Sequence, residues 1–126
     1  MKRFLTTLLI CAPAVLFAQA VEIKRTPIQT VTLSTPGKLA IQQIVEFAPG
    51  AIAPRHTHPG EEITYVMSGE IELRVDGQPP KVVKAGESFS VPEGVIHGAA
   101  NTSSLPIKAF ITYVVEKDRP VATMIK

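Results

Sequence analysis

Hydrophobic and polar positions alternate along much of the chain beyond residue 20, in short pieces. The clearest piece is residues 70–75, where Ile71, Leu73 and Val75 alternate with Glu70, Glu72 and Arg74. A period of two puts one set on a dry face and the other in water, which predicts a strand. Asp76-Gly77 then signals a hairpin turn, and residues 81–84 return. Residues 107–115 are apolar at both parities except for Lys108 and Thr112, which predicts a strand covered on both faces. Residues 31–33, 63–67, 87–91 and 95–100 are further strand candidates. Residues 39–47 fit a helical stripe through Ile41, Ile44, Val45 and Ala48, and also a strand alternation through Leu39, Ile41, Val45 and Phe47. The segment is short and bracketed by Pro-Gly pairs, so a strand is expected. No segment offers a long amphipathic helix.

Pro and Gly punctuate these pieces at Pro36-Gly37, Pro49-Gly50, Pro59-Gly60, Ser68-Gly69, Asp76-Gly77, Pro79-Pro80, Ala85-Gly86 and Pro92-Glu93-Gly94. Short segments at regular spacing with turn signals between them predict an all-β sandwich or barrel. The 126 residues suit one domain.

The first twenty residues have a different pattern. Lys2 and Arg3 precede a mostly apolar run from Phe4 to Phe17, and Ala18-Gln19-Ala20 ends it. That order is the pattern of a secretory signal peptide cleaved after Ala20. The run is shorter than the roughly 20 residues needed to cross a bilayer, and Pro13 interrupts it, so a membrane anchor is disfavoured. A lipoprotein signal at Cys11 ranks lower still, because Leu8-Leu9-Ile10 lacks small residues. The expected division is a signal peptide over residues 1–20 and one β-barrel domain over 21–126, exported to the periplasm or secreted. Cys11 is the only cysteine, so the mature domain has neither disulfide nor thiolate ligand. The formal net charge is +2, with no basic run and no basic-aromatic interleaving. Nucleic acid is therefore not an expected partner, and neither is a membrane once the signal is removed.

The candidate chemistry lies in residues 56–62, His56-Thr57-His58-Pro59-Gly60-Glu61-Glu62, which hold two of the three histidines. On a strand, His56 and His58 point to one face, and two imidazoles on one face can chelate a metal ion. Pro59-Gly60 bends the chain, so Glu62 can add a carboxylate from the neighbouring strand. If the sheet closes into a barrel, His97 can project inward as well. Three His and one Glu suit one borderline divalent transition metal, iron, manganese, nickel, copper or zinc, with positions left for water or substrate. By parity with Glu62, Thr64 and Val66 face inward and Tyr65 outward. Thr64, Val66 and Phe89 are candidates for a substrate pocket. Arg55 is read as a solvated loop charge. The apolar lining holds few ionisable groups besides the ligands, which favours a small, largely uncharged or aromatic ligand.

The spacing also carries a resemblance. Gly50, His56, His58, Glu62 and Gly69 fall at the fixed positions of the first motif of the cupin superfamily. Gly86, Pro92, Gly94, His97 and Asn101 fall at those of the second. The chain resembles small single-domain bacterial cupins over most of residues 21–126. The resemblance implies a jelly-roll, or double-stranded β-helix, barrel in which His56, His58, Glu62 and His97 bind one divalent metal. It also implies a homodimer, with residues 21–33 taking part. Cupins host many activities, so the fold leaves the reaction open. A metal-dependent enzyme of dioxygenase type acting on a small organic molecule is favoured, with Glu62 doubling as a catalytic base. The alternatives are a non-catalytic binder of a small molecule or metal chelate, and a metal-dependent lyase or isomerase. No organic cofactor is expected.

Overall fold

The structure is a computed structural model that describes residues 21–126. The signal-peptide segment, residues 1–20, lies outside the described residues. Ten strands follow in order: β1 (Ile23–Thr32), β2 (Lys38–Phe47), β3 (Ile52–Thr57), β4 (Gly60–Ser68), β5 (Glu70–Val75), β6 (Lys81–Lys84), β7 (Ser88–Val91), β8 (His97–Ala100), β9 (Ile107–Glu116) and β10 (Thr123–Met124). They form two antiparallel five-stranded sheets, ordered β1-β2-β9-β4-β7 and β10-β3-β8-β5-β6. This is the all-β jelly roll expected from the sequence. Among the described residues no helix is long and apolar enough to cross a membrane.

The alternation in residues 70–75 is realised as β5, with Ile71 and Leu73 buried. The ambiguous segment 39–47 is a strand, β2, paired with β9 along its whole length. Its inward residues Val45 and Phe47 lie in the same core as Val66 of β4, Ile71 of β5, Val83 of β6 and Ile107, Ala109 and Ile111 of β9. Each fully buried Val or Ile contributes roughly 1.5–3 kcal/mol, so this cluster is what clamps the two sheets together.

β9 differs from expectation on one face. Ile107, Ala109, Ile111, Tyr113 and Val115 are buried, but Phe110, Thr112 and Val114 are only half-buried. Among the described residues no second layer covers their face. Phe110 lies opposite Tyr65 and Ile44, and Thr112 lies opposite Ile63. Apolar character at both parities here reflects a central strand with an apolar outer face, not double burial.

β1 is much longer than the 31–33 segment read from the sequence. It is exposed along nearly its whole length, because it is an edge strand held by its ladder to β2. Its register slips between Pro27 and Gln29, leaving Ile28 unpaired. Proline suits such an edge, where a missing N–H costs no ladder bond. Gly60 is also not the turn residue expected. It opens β4 against β9, where a Cβ would come within 2.0 Å of the Val114 carbonyl oxygen. Only glycine allows that approach, and it fixes the rung on which Glu62 sits.

Candidate metal centre

His56 projects from near the end of strand β3, and His58 follows in the tight link between β3 and β4. Glu62 faces inward from β4 beside Tyr113 of β9. His97 starts β8, paired with His56 across the second sheet. The two sheets thus bring residues 56, 58, 62 and 97 together between their inner faces. One ligand atom from each lies within 4.8 Å of all the others. His58, Glu62 and His97 are buried, and His56 is half-buried.

Each imidazole is oriented by a backbone carbonyl. His56 Nδ1–H donates to Pro54 O at 2.7 Å, His58 Nδ1–H to Val121 O at 2.5 Å, and His97 Nδ1–H to Val95 O at 2.9 Å. A carbonyl can only accept, so Nδ1 must carry the proton and Nε2 is left with its lone pair in the neutral ring. The three Nε2 atoms converge. His58 Nε2 is 3.2 Å from His56 Nε2 and 2.9 Å from Glu62 Oε2, and His97 Nε2 is 3.3 Å from Glu62 Oε2. Lone pairs at these separations repel unless a cation lies between them. A shared proton can satisfy two of them, whereas a divalent metal satisfies all four. Backbone hydrogen bonds that fix the outer imidazole nitrogen are also what metal-ligating histidines normally have. The donor set therefore fits a divalent transition metal.

The fourth donor is held in its charged form. Burial pushes the Glu62 carboxyl up, but hydrogen bonding to His58 and His97, which these rings supply only while Nε2 carries a proton in place of a metal, together with that from Thr64, outweighs it and holds it down to about 2. Thr64 Oγ1–H donates to Glu62 Oε1 at 2.8 Å, leaving Oε2 to face the imidazoles. Burial lowers the His56 pKa. Burial also opposes the charged form of His97, but its contacts to Glu62 and Val95 raise it.

Two cavities adjoin the cluster. The inner one, about 40 Å³, is bounded by His56, Glu62, Thr64, Phe89 and His97 with Val45, Phe47 and Ile111. The outer one, about 240 Å³, is bounded by Arg25, Ile41, Gln43, His56, His58, Tyr113 and the stretch from Val121 to Met124. Thr64 and Phe89 thus line the inner cavity, while Val66 lies deeper in the core, fully buried opposite Ala109. Arg55 is exposed and engages Asp76 with a two-pronged ion pair.

The sequence reading missed Arg25, Gln43, Tyr113 and Val121. Arg25, Gln43 and Tyr113 face inward from β1, β2 and β9, so the cavity lining is more polar than the apolar pattern suggested. Tyr113 could have been found by its shared parity with Ile111. Arg25 could not, because β1 carries no readable alternation.

Comparison with known proteins gives this site its relatives. The family described as "Cupin domain" matches residues 43–114. Germin-like protein subfamily 2 member 2 of Arabidopsis thaliana is 36% identical over 67 residues, 49% of this chain and 31% of that protein. Dimethylsulfoniopropionate lyase DddQ of Ruegeria pomeroyi is 33% identical over 70 residues, 56% of this chain and 34% of that protein. Its crystal structure superposes with a TM-score of 0.61 at 26% identity, over 68% of this chain and 42% of that one. A structure of recombinant oxalate oxidase in complex with glycolate gives a TM-score of 0.65 at 27% identity, over 81% of this chain and 54% of that one. The matched stretch spans about a third of the two curated relatives, 31% and 34% of their lengths. His56, His58, Glu62 and His97 all fall inside residues 43–114, and the chain belongs to the cupin domain family.

Proposed function

We propose that this protein is a metal-dependent enzyme acting on a small organic molecule, with one divalent transition metal held by His56, His58, Glu62 and His97. The observation that carries the proposal is the convergence of three imidazole lone pairs and a carboxylate oxygen, each oriented by its own hydrogen bond. A bound metal with open positions would polarise a substrate oxygen. The chain's own residues do the rest. Thr64 keeps the Glu62 carboxylate turned toward the imidazoles. Among the described residues lining the two cavities, Glu62 is the one carboxylate, so it is the group placed to accept a substrate proton. Phe89, Ile111 and the inner apolar wall exclude water from the far side. The outer cavity is smaller than the ~300–1,000 Å³ typical of sites for drug-sized ligands, which suits a small substrate.

Oxidation of dioxygenase type, with dioxygen as co-substrate, is the favoured reaction. The likeness to oxalate oxidase over 81% of the chain supports oxygen chemistry. A lyase is the second reading, supported by the likeness to DddQ, a protein named as a lyase. The proposal includes export through cleavage after Ala20, and a homodimer in which the exposed edge strand β1 and the apolar outer face of Ile63 and Tyr65 take part. Light scattering on protein lacking residues 21–30 tests that assembly, and an unchanged dimer removes β1 from it.

The test of function is metal content by mass spectrometry on exported, untagged protein, with His58→Ala beside it. About one metal per chain in the wild type is expected, with loss in the variant. Dioxygen uptake by the loaded protein then separates oxidation from lyase chemistry. No metal in either protein after reloading overturns the proposal.

A further inference from the structure

We propose that Arg25, backed by Tyr113 and Gln43, forms an anion-recognising wall, so that the ligand of this site is a small carboxylate whose far end reaches the four-donor cluster. The inference rests on the metal-site reading above and adds the substrate class to it.

Three neighbouring strands supply the wall. Arg25 of β1 lies opposite Val45 of β2, which in turn lies opposite Ala109 of β9. All three belong to the inward set of the first sheet, so the guanidinium projects over the cavity, not onto the outer face. Arg25 borders both the inner and the outer cavity, as do His56 and Tyr113. Among the described residues no carboxylate forms an ion pair with it. Glu46, the nearest acid along β2, instead receives Lys24 and Lys108 on the opposite face. Arg55, the other arginine close to the site, is already committed to Asp76.

Tyr113 completes the arrangement. Its ring packs against His58 with centroids 4.7 Å apart, and its hydroxyl accepts from Gln43 Nε2 at 3.4 Å. With that lone pair used, the phenolic proton is free to be donated into the cavity. A phenol is protonated at neutral pH, so the hydroxyl remains a donor. The wall thus offers a guanidinium fork and a phenol O–H, both donors, with an acceptor side occupied. A fixed positive charge with a second donor beside it favours an oxyanion, and the planar fork matches a carboxylate. The outer cavity of about 240 Å³ lies below the ~300–1,000 Å³ of sites for drug-sized ligands, which suits a small acid. The substrate class is therefore a short-chain acid with a second oxygen function at its other end.

The experiment is calorimetric binding to protein reconstituted with Mn(II), whose metal content is measured in every sample. The probes are malonate, succinate and glutarate, each compared with its monoamide, which keeps one carboxylate for the metal and removes the other charge. At least one diacid should bind about tenfold more tightly than its monoamide, as a charge-assisted hydrogen bond predicts. Arg25→Met should erase that preference with metal content unchanged, Arg25→Lys should keep part of it, and Tyr113→Phe should weaken the diacid. A preference that survives in Arg25→Met overturns the inference, and so does its absence from all three pairs in wild-type protein that holds metal. Protein that takes up no metal fails the metal-site reading instead, and the two failures are told apart by the metal assay.

Discussion

On one side of the cavity stand His56, His58, Glu62 and His97, each with its second polar atom tied to a backbone carbonyl or to Thr64. On the other side stand Arg25, Gln43 and Tyr113, with the stretch from Val121 to Met124 closing the mouth. The first side is buried except for the half-buried His56, and lies wholly within the family match at residues 43–114. The second draws Arg25 and Val121 from outside it, on an exposed edge strand and in the link that leads into the two-residue edge strand β10 of the other sheet. The difference separates two tasks. Donors oriented at both ends suit the holding of an ion, and that geometry tolerates little change. The edge strands are free to differ without disturbing those donors, so they are where ligand choice can be set.

The largest expected effect lies on the first side. His97→Ala removes one of four donors and leaves the Glu62 carboxylate buried with one imidazole fewer. Metal affinity, measured by competition with a chelator, should fall by more than the roughly 10–100-fold that loss of an outer-shell partner costs. The rise in Tm on adding metal to wild-type protein should vanish with it. Retained stoichiometric metal would mean that His97 packs beside the site without ligating.

Next comes a variant that crosses between the two sides. The Val121 carbonyl belongs to the mouth, yet it orients His58 of the cluster. Deleting residues 120–126 removes that acceptor together with the β10 ladder to Thr57 and His56. The core cluster is built from other strands apart from the half-buried Val121, so the fold should persist. Metal affinity should fall by roughly 10–100-fold, as for loss of other outer partners of ligating histidines. Unchanged affinity would show that the two sides are independent.

How much of this was legible in the sequence follows the same division. Period-two patterning located β5, and motif spacing located the four donors, because both are local signals. The β6 return was legible for the same reason. β1 was mostly illegible. An exposed edge strand has no buried face to alternate against, and its ladder partner β2 is named only by long-range pairing. Residues 107–115 read as covered on both faces, because composition cannot distinguish a buried face from an apolar one left open. The apolar reading of the cavity failed for a related reason. Arg25 faces inward only because β1 exists, and Val121 reaches His58 across 63 positions of sequence.

A smaller effect is expected from Thr64→Val, a near-isosteric change at a fully buried position. It removes the hydrogen bond to Glu62 Oε1 and leaves that oxygen without its partner, at a cost of about 1–3 kcal/mol in the metal-free protein. Thermal unfolding of metal-free and loaded protein would measure it. A wild-type Tm in both states would show that Glu62 is oriented by the imidazoles alone.

The smallest effect should come from Arg55→Ala, and its smallness is informative. Arg55 and Arg25 are both exposed arginines near the histidines, and the sequence drew attention only to Arg55. The structure gives Arg55 a partner, Asp76, on the outer surface, and leaves Arg25 over the cavity. Exposed ion pairs contribute little, since solvent screens them, so Tm should be close to that of wild type. Diacid binding and the preference over the monoamides should also be unchanged, because a cation already matched by a carboxylate adds little attraction for another. If Arg55→Ala instead weakened diacid binding as strongly as Arg25→Met, the field at the cavity mouth would be a sum of nearby charges. The edge strand β1 would then lose its particular claim on ligand choice.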